Sequence, residues 1–310
     1  MTRVLVTGAA GFIGRHLVRH LHLMNYDVLA VDRADGDLRD PGMINSMLNA
    51  HKPDIVAHLA AKVGRLFGED DVGETVADNT AMTAAVAKAC GERGIRLAYA
   101  STSEVYGDRG SLVCSEDMAL DVLPHNAYGM SKRHGEDYCR LYAPGGLTVW
   151  RLSMPYGPGL PPGIGRAAIV NMLWQAMRRE PIPVHEGAER SWCWIGDTVR
   201  GMRMTLKTDG GTWNIGRDDQ SMLMLDVARF ACDLTGAPHS LIQEMPAPPR
   251  QTVIKRLDTS RLRSLGWEPI VQWAQGMELI YESLVELRAE MAVLVRDAKR
   301  DLEPQPVELA

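Results

Sequence analysis

The stretch Val4-Leu5-Val6-Thr7-Gly8-Ala9-Ala10-Gly11-Phe12-Ile13-Gly14 decides how this chain is read. Three apolar residues predict a short buried strand. After the glycines, Phe12, Ile13, Leu17, Val18 and Leu21 recur at helical spacing, so strand, turn and helix follow in succession. Gly8, Gly11 and Gly14 permit a tight turn and let backbone N–H groups at a helix N-terminus approach a pyrophosphate. Their GxxGxxG spacing departs from GxGxxG, so the surrounding sequence must carry part of the argument.

Outward from the turn, Val28 to Val31 forms a second apolar run that ends at Asp32. That carboxylate lies about 20 residues past the glycines, where it can accept hydrogen bonds from the ribose hydroxyls of an adenosine. Asp32 therefore favours NAD. Arg33 is the residue that would instead select NADP, by pairing with its 2′-phosphate. Met43 to Ala50, Asn79 to Cys90 and Ser131 to Tyr142 read as helices, and Asp54 to Leu59, Leu97 to Ala100 and Leu147 to Leu152 as strands. This alternation predicts an α/β fold, a Rossmann-type doubly wound parallel sheet. Past Ser153 the prolines at 155, 158, 161 and 162 break the pattern. A division follows into a dinucleotide-binding domain, 1–152, and a smaller substrate domain, 153–310, with segments near 191–216 returning to the first. Ile169 to Arg179 and Met277 to Lys299 are expected as helices, the second with a solvated charged face, and Gly211 to Gly216 as a strand. The tail past Asp301, with Pro304 and Pro306, is expected to fray.

Composition narrows the function classes. With 310 residues, 45% hydrophobic and 24% charged, the chain reads as a globular enzyme with a sizeable core, neither disordered nor fibrous. A net charge of −5 and a pI near 6.0 give no electrostatic case for nucleic acid. Five scattered cysteines without CxxC spacing indicate reduced thiols, not a zinc site or a disulfide framework. No stretch approaches the ~20 apolar residues that span a bilayer. A strand beginning by Arg3 leaves no room for a signal peptide, so a cytoplasmic protein without a membrane partner is expected. His16 and His20, four apart, lack a third ligand and are assigned to a solvated helix face, with no metal. Trp192 and Trp194 are expected on one packed face, and Met222 and Met224 in the core.

The chemistry-bearing residues lie further along. Tyr128 and Lys132 in YGMSK share one helix face. An ammonium and an oxidised nicotinamide favour the phenolate of such a tyrosine by Coulomb attraction, making it a proton acceptor as hydride leaves carbon. The strand-ending segment ASTSEVYG supplies Thr102, able to bridge phenol and substrate oxygen, with Ser103 and Glu104 beside it.

Together these residues resemble the extended short-chain dehydrogenase/reductase superfamily, in its NAD-dependent nucleotide-sugar epimerase/dehydratase branch. The resemblance rests on TGAAGFIG, Asp32, DLRD at Asp37 to Asp40, HLAA at His58 to Ala61, Asn79, STSEVYG, NAYGMSK and YGPG at Tyr156 to Gly159. It implies that Gly8, Gly11, Phe12, Ile13 and Gly14 cradle the cofactor. It further implies that Asp37 and Leu38 flank adenine, that Leu59, Ala60, Ala61 and Asn79 line the cleft, and that Thr102, Tyr128 and Lys132 form a catalytic triad. Arg190, before WCWIGD, Arg256, before Asp258, and Arg250 are implied phosphate contacts. Met154 stands where relatives carry a substrate-contacting asparagine. Glu104 matches the dehydratase base that removes the C5 proton, but Ser103 stands where glucose 4,6-dehydratases carry an aspartic acid. STSE is similar to UDP-glucuronate decarboxylases, and AAKVG at Ala60 to Gly64 to GDP-fucose synthases, which use NADPH. The expected activity is epimerisation or dehydration of a nucleotide-diphosphate sugar through a transient 4-keto sugar. Decarboxylation and ketosugar reduction are the alternatives, and an intact Thr102, Tyr128 and Lys132 set disfavours a dinucleotide-sensing regulator without activity. Homodimers through a four-helix interface are common among resembling enzymes.

Overall fold

The computed structural model describes residues 1–63, 72–163, 167–247 and 252–301, with side chains through 291. A six-stranded, all-parallel sheet holds β1 (Arg3–Thr7), β2 (Asp27–Val31), β3 (Ile55–His58), β4 (Arg96–Thr102), β5 (Thr148–Leu152) and β6 (Gly211–Ile215). Their spatial order is β6-β5-β4-β3-β1-β2. Chain order reverses between β1 and β3, and the crevice outside the carboxyl ends of such strands is where open α/β sheets bind ligands.

Both faces of the sheet are covered, which explains why β1 and β3 are continuous apolar runs and not alternating ones. Val4 and Val6 point to one core with Leu17 and Leu21 of α1 (Phe12–Leu23), while Leu5 faces the opposite core with Ile44 and Leu48 of α2 (Pro41–His51). On that second face α3 (Val72–Gly91) and α4 (Ala127–Tyr142) pack against each other. A third core joins α5 (Ala168–Arg178), α6's neighbour Trp192, α7 (Met224–Thr235) and α9 (Trp273–Asp301); α6 (Ile195–Thr205) itself packs on α1, and α8 (Ser260–Arg263) supplies Leu262 to the first core.

Several expected boundaries move. The helix expected from Ser131 begins at Ala127, because the Asn126 side chain accepts from Gly129 N–H at 2.8 Å and caps it. Strand β4 continues two residues past Ala100, carrying Thr102 to its end. The link after β2 closes within three residues through a capping box, Asp32 accepting from Arg33 N–H and Asp35 accepting from Asp32 N–H. His16 and His20 are half-buried and not on a solvated face, since α6 and the Pro158 carbonyl cover that side of α1. Tyr156 receives both Trp192 and Trp194 edge-on, although the strand beneath them is only Cys193–Trp194. Among the described residues, all five cysteines are buried and free, and no helix is long and apolar enough to cross a membrane.

Candidate active site

The glycine turn is built by close approach. Gly8 has φ +68°, and a Cβ there would lie 2.8 Å from the backbone nitrogen of Ala60; one on Gly14 would strike the Gly8 carbonyl oxygen. No side chain caps the N-terminus of α1, so its first N–H groups are open to an anion. Phe12 and Ile13 pack inward as its anchor. This cradle, filled by any Cβ, fits a pyrophosphate.

Around it, Asp32 accepts from Ala10 N–H, drawing the end of β2 onto the turn. Asp37 is exposed and bonded in a fork to Arg39, which holds its carboxyl below the usual range and also reaches Asp78 on α3. Lys62 in turn pairs with Asp78 and Glu74. Leu38 is buried against Ile44 and Leu48. Arg33 is exposed. Leu59, Ala60 and Ala61 form the half-buried loop after β3. Asn79 clamps that loop, accepting from Lys62 N–H at 2.7 Å, donating to the Lys62 carbonyl, and donating to Ser131 Oγ on α4 at 3.0 Å.

Thr102, buried at the end of β4, accepts from Glu104 N–H at 3.3 Å, and Ser103 is buried beside it. The first turn of α4 docks here. Gly129 lets Glu104 Cβ approach to 2.9 Å of where its own Cβ would stand, and the Asn126 amide donates to Glu104 Oε2 at 3.1 Å. Tyr128 therefore stands in the opening turn of α4. One turn on, the Lys132 ammonium donates to the Ala100 carbonyl at 2.7 Å and lies 4.8 Å from the Tyr99 ring centroid and 5.9 Å from that of Tyr128. Burial pushes the Tyr128 phenol up to about 12 and Lys132 down to about 8, each toward its neutral form.

Beneath the triad lies a buried ion pair. Glu136 on α4 accepts from Ser101 Oγ at 2.6 Å and takes a fork from Arg151 of β5, with Arg140 on its outer side; Arg151 continues to the Tyr106 hydroxyl. These bonds hold the end of β4, and so Thr102, against α4.

Opposite, the strand Ile254–Leu257 pairs with Glu189–Arg190 and Val113–Cys114. Its Lys255 ammonium bonds Glu104 Oε1, with both side chains largely shielded from solvent. Arg256 forks onto Glu189 at 2.8 Å, and buried Arg190 donates to the Thr252 and Val253 carbonyls. Both guanidiniums thus have partners inside the protein, Arg190 buried and Arg256 with 39% of its side chain exposed. Arg250 lies outside the described residues. Met154 is half-buried, borders the third core and adopts φ +44°, a left-handed conformation that asparagine tolerates better than methionine.

Sequence reasoning missed Lys255, Asn126, Ser131 and Lys62. The capping signal before YGMSK could have found Asn126. Nothing local announces Lys255, which meets Glu104 only through the tertiary fold.

Comparison with known proteins places this geometry. The NAD dependent epimerase/dehydratase family model matches residues 4–216. A trifunctional UDP-glucose 4,6-dehydratase/UDP-4-keto-6-deoxy-D-glucose 3,5-epimerase/UDP-4-keto-L-rhamnose-reductase of Arabidopsis thaliana is 28% identical over 89% of this chain, which spans only 46% of that protein's length. UDP-glucuronic acid decarboxylase 6 of the same plant is 29% identical, covering 90% of this chain and 88% of the relative. Among solved structures, MoeE5 in complex with UDP-glucuronic acid and NAD superposes with a TM-score of 0.81 at 28% identity, covering 92% of this chain and 99% of that one. The relatives are enzymes acting on nucleotide sugars, they include dehydratases, epimerases, decarboxylases and reductases, and NAD is the family's cofactor. A doubly wound sheet, a glycine cradle at its switch point and a family match over two-thirds of its length agree: the chain belongs to the NAD dependent epimerase/dehydratase family.

Proposed function

We propose that this protein oxidises a hydroxyl of a nucleotide-diphosphate sugar, at C4, to a transient ketone, and from that ketone carries out epimerisation or dehydration. The observation that supports the reading is the packing of α4, which carries Tyr128 and Lys132, on the strand that ends at Thr102, with the Lys132 ammonium on the Ala100 carbonyl and 5.9 Å from the Tyr128 ring centroid.

The residues divide the work. Gly8, Gly11 and Gly14 with Phe12 and Ile13 hold the pyrophosphate of NAD, Asp32 the adenosine ribose, Asp37 and Leu38 the adenine, and the loop Leu59 to Ala61 with Asn79 the cleft wall. When bound, NAD accepts and returns the hydride, and its oxidised ring adds positive charge beside the phenol. In the free protein Tyr128 is protonated at neutral pH, as any phenol near ~10 is, and burial raises it further, to about 12. The Lys132 ammonium works against that burial by favouring the phenolate, so Tyr128 Oη can take the proton of the sugar hydroxyl. Thr102 Oγ1 already accepts from Glu104 N–H, which leaves its own proton to donate to the substrate oxygen or to the phenolate. A ketone at C4 acidifies the C5 proton, and Glu104 is the carboxylate beside Ser103 that removes it. On the nucleotide-sugar side the reading assigns Met154, Arg190 and Arg256, with Arg250 carried over from the sequence alone.

A second reading, decarboxylation, is favoured by Lys255, an ammonium beside Glu104 and able to receive a sugar carboxylate. Incubation of the NAD-loaded protein with UDP-, dTDP- and GDP-sugars, including UDP-glucuronic acid, followed by mass and stereochemical analysis, separates the outcomes. Inversion supports epimerisation, loss of water supports dehydration, loss of carbon dioxide supports the second reading, and net NADPH oxidation would indicate a reductase. Inertness to every donor overturns the proposal.

A further inference from the structure

The buried side chains between the glycine turn and α4 form a row: Thr7, His58, Thr83, Tyr99. All four are at most 2% exposed, so no solvent competes for their hydrogen bonds. Thr7 and His58 are partners in register at the ends of β1 and β3. Thr7 Oγ1 lies 2.8 Å from His58 Nδ1 and accepts from the backbone N–H of Leu59 at 3.2 Å and of Ala60 at 3.3 Å. A hydroxyl has one proton and two lone pairs. Both lone pairs face amides, the Leu59 N–H being shared with the Thr7 carbonyl oxygen at 3.2 Å, so the hydroxyl proton is directed to the ring. His58 Nδ1 is therefore an acceptor and the ring proton sits on Nε2, which faces Thr83 Oγ1 at 3.3 Å. Thr83 accepts there, which leaves its own proton for the Tyr99 hydroxyl beside it; that hydroxyl donates to the Lys132 carbonyl at 3.4 Å.

We infer that Thr7, His58, Thr83 and Tyr99 form a hydrogen-bond chain of fixed polarity from the glycine turn to the backbone of the helix bearing Tyr128 and Lys132, with His58 as a positioning residue locked neutral in its Nε2–H tautomer. Each link has one direction, because reversing any of them would leave two protons facing each other or a buried group unpaired. Burial and the nearby Lys132 charge depress the imidazole to about 3, so the ring carries no charge across the working range. The ring also stacks on Tyr99, centroids 6.0 Å apart at 27°, which fixes its plane. The consequence for catalysis rests on the proposed NAD site: the loop that closes against Gly8 and the helix that delivers the phenol are tied together, so their relative placement is set before the cofactor arrives. The polarity of the chain itself is a property of the free protein.

Two measurements test this. In the cofactor-free protein labelled with 15N at its nine histidines, the His58 resonances are assigned by their loss in His58→Gln. The expected pattern is a neutral Nε2–H ring that does not change between about pH 6 and pH 8. A proton on Nδ1, or a ring that titrates in that range, overturns the inference. Next, Thr7→Ser keeps the hydroxyl and is expected to bind NAD within about 2-fold of wild type, while Thr7→Val orphans the Ala60 amide and the imidazole, leaves Leu59 N–H only its carbonyl partner, and weakens NAD binding about 10-fold or more. Tyr99→Phe, which removes the two links at the α4 end and leaves the Thr7–His58 end intact, should lower kcat and leave the KM for NAD unchanged. Thr7→Val binding NAD like wild type contradicts the chain. Should wild type itself bind no NAD, the cofactor assignment falls, and the tautomer still decides the chain.

Discussion

On the glycine-turn side of the cleft the fixing contacts are short in sequence: Asp32 reaches Ala10 N–H 22 positions away, and Asn79 reaches Lys62 over 17. On the side facing Glu104 they are long, with Lys255 meeting Glu104 across 151 positions, Arg256 meeting Glu189 across 67 and Arg190 meeting Val253 across 63. The first wall combines backbone groups, the strand-end carboxylate of Asp32, the Asn79 amide and the ion pairs of Asp37, Arg39, Asp78 and Lys62, all from the first half of the chain. The second neutralises buried or half-buried charges with partners from distant parts of the chain. A cofactor common to a family can be held by local geometry. Under the proposed function, substrate discrimination falls to charges whose pairing only the complete fold decides.

The largest effect should come where the two walls meet. Tyr128→Phe keeps the ring and removes the acid/base group, so turnover should fall by about 10³-fold while NAD binding, measured by calorimetry, persists. Retained turnover would remove the phenol from the account.

Next comes the Glu104–Lys255 pair, where catalysis and support make different predictions. As a base, Glu104→Gln should lower kcat about 100-fold with little change in melting temperature. A strut would instead give equal losses in Glu104→Gln and Lys255→Met and none further in the double variant. Steady-state kinetics of the three proteins decides between them.

On the other wall, Gly8→Ala adds a Cβ against the Ala60 backbone at a positive φ, and NAD affinity should drop about 10-fold or more without loss of the sheet. Circular dichroism and a binding titration read the two separately.

Lys132 connects the walls through charge. Its folded value, about 8, lies below the ordinary 10.5, so the ammonium is retained below pH 8 and lost above it. The kcat/KM of the free enzyme should therefore decline as pH rises through about 8. Stability moves oppositely. Burying the charged form opposes folding below pH 8, and that penalty fades as pH rises from the folded toward the unfolded value. In Lys132→Met the pH dependence of unfolding over this interval should flatten.

The smallest effect belongs to Met154. Replacing a methionine at φ +44° by asparagine, which tolerates the left-handed region, should stabilise the fold by about 1 kcal/mol in denaturant titrations.

The same contrast explains what was legible in the amino-acid sequence. Apolar runs such as Val4 to Val6 and Asp54 to Leu59 gave away the sheet because both of its faces are covered, and the glycines gave away the turn because no other residue fits between Gly8 and Ala60. Tyr128 and Lys132 share a helix face at a fixed spacing, so their neighbourhood was readable before any fold. Lys255 was not. It sits on a four-residue strand with no periodic signature, and its partner is set by how that strand pairs with Val113–Cys114. Arg190 and Arg256 were read as phosphate contacts from their motifs alone: a motif identifies the guanidinium, but only the fold shows the carbonyls and the carboxylate that it also bonds.

The central claim is that Tyr128 drives reversible oxidation of a sugar hydroxyl. Single-turnover measurement with the accepted nucleotide sugar, protiated or deuterated at C4, tests it most directly. The account predicts that deuterium slows the wild-type reaction and that Tyr128→Phe abolishes it. Equal rates for both isotopologues in a step shown to be chemical, or wild-type turnover in Tyr128→Phe, would contradict it.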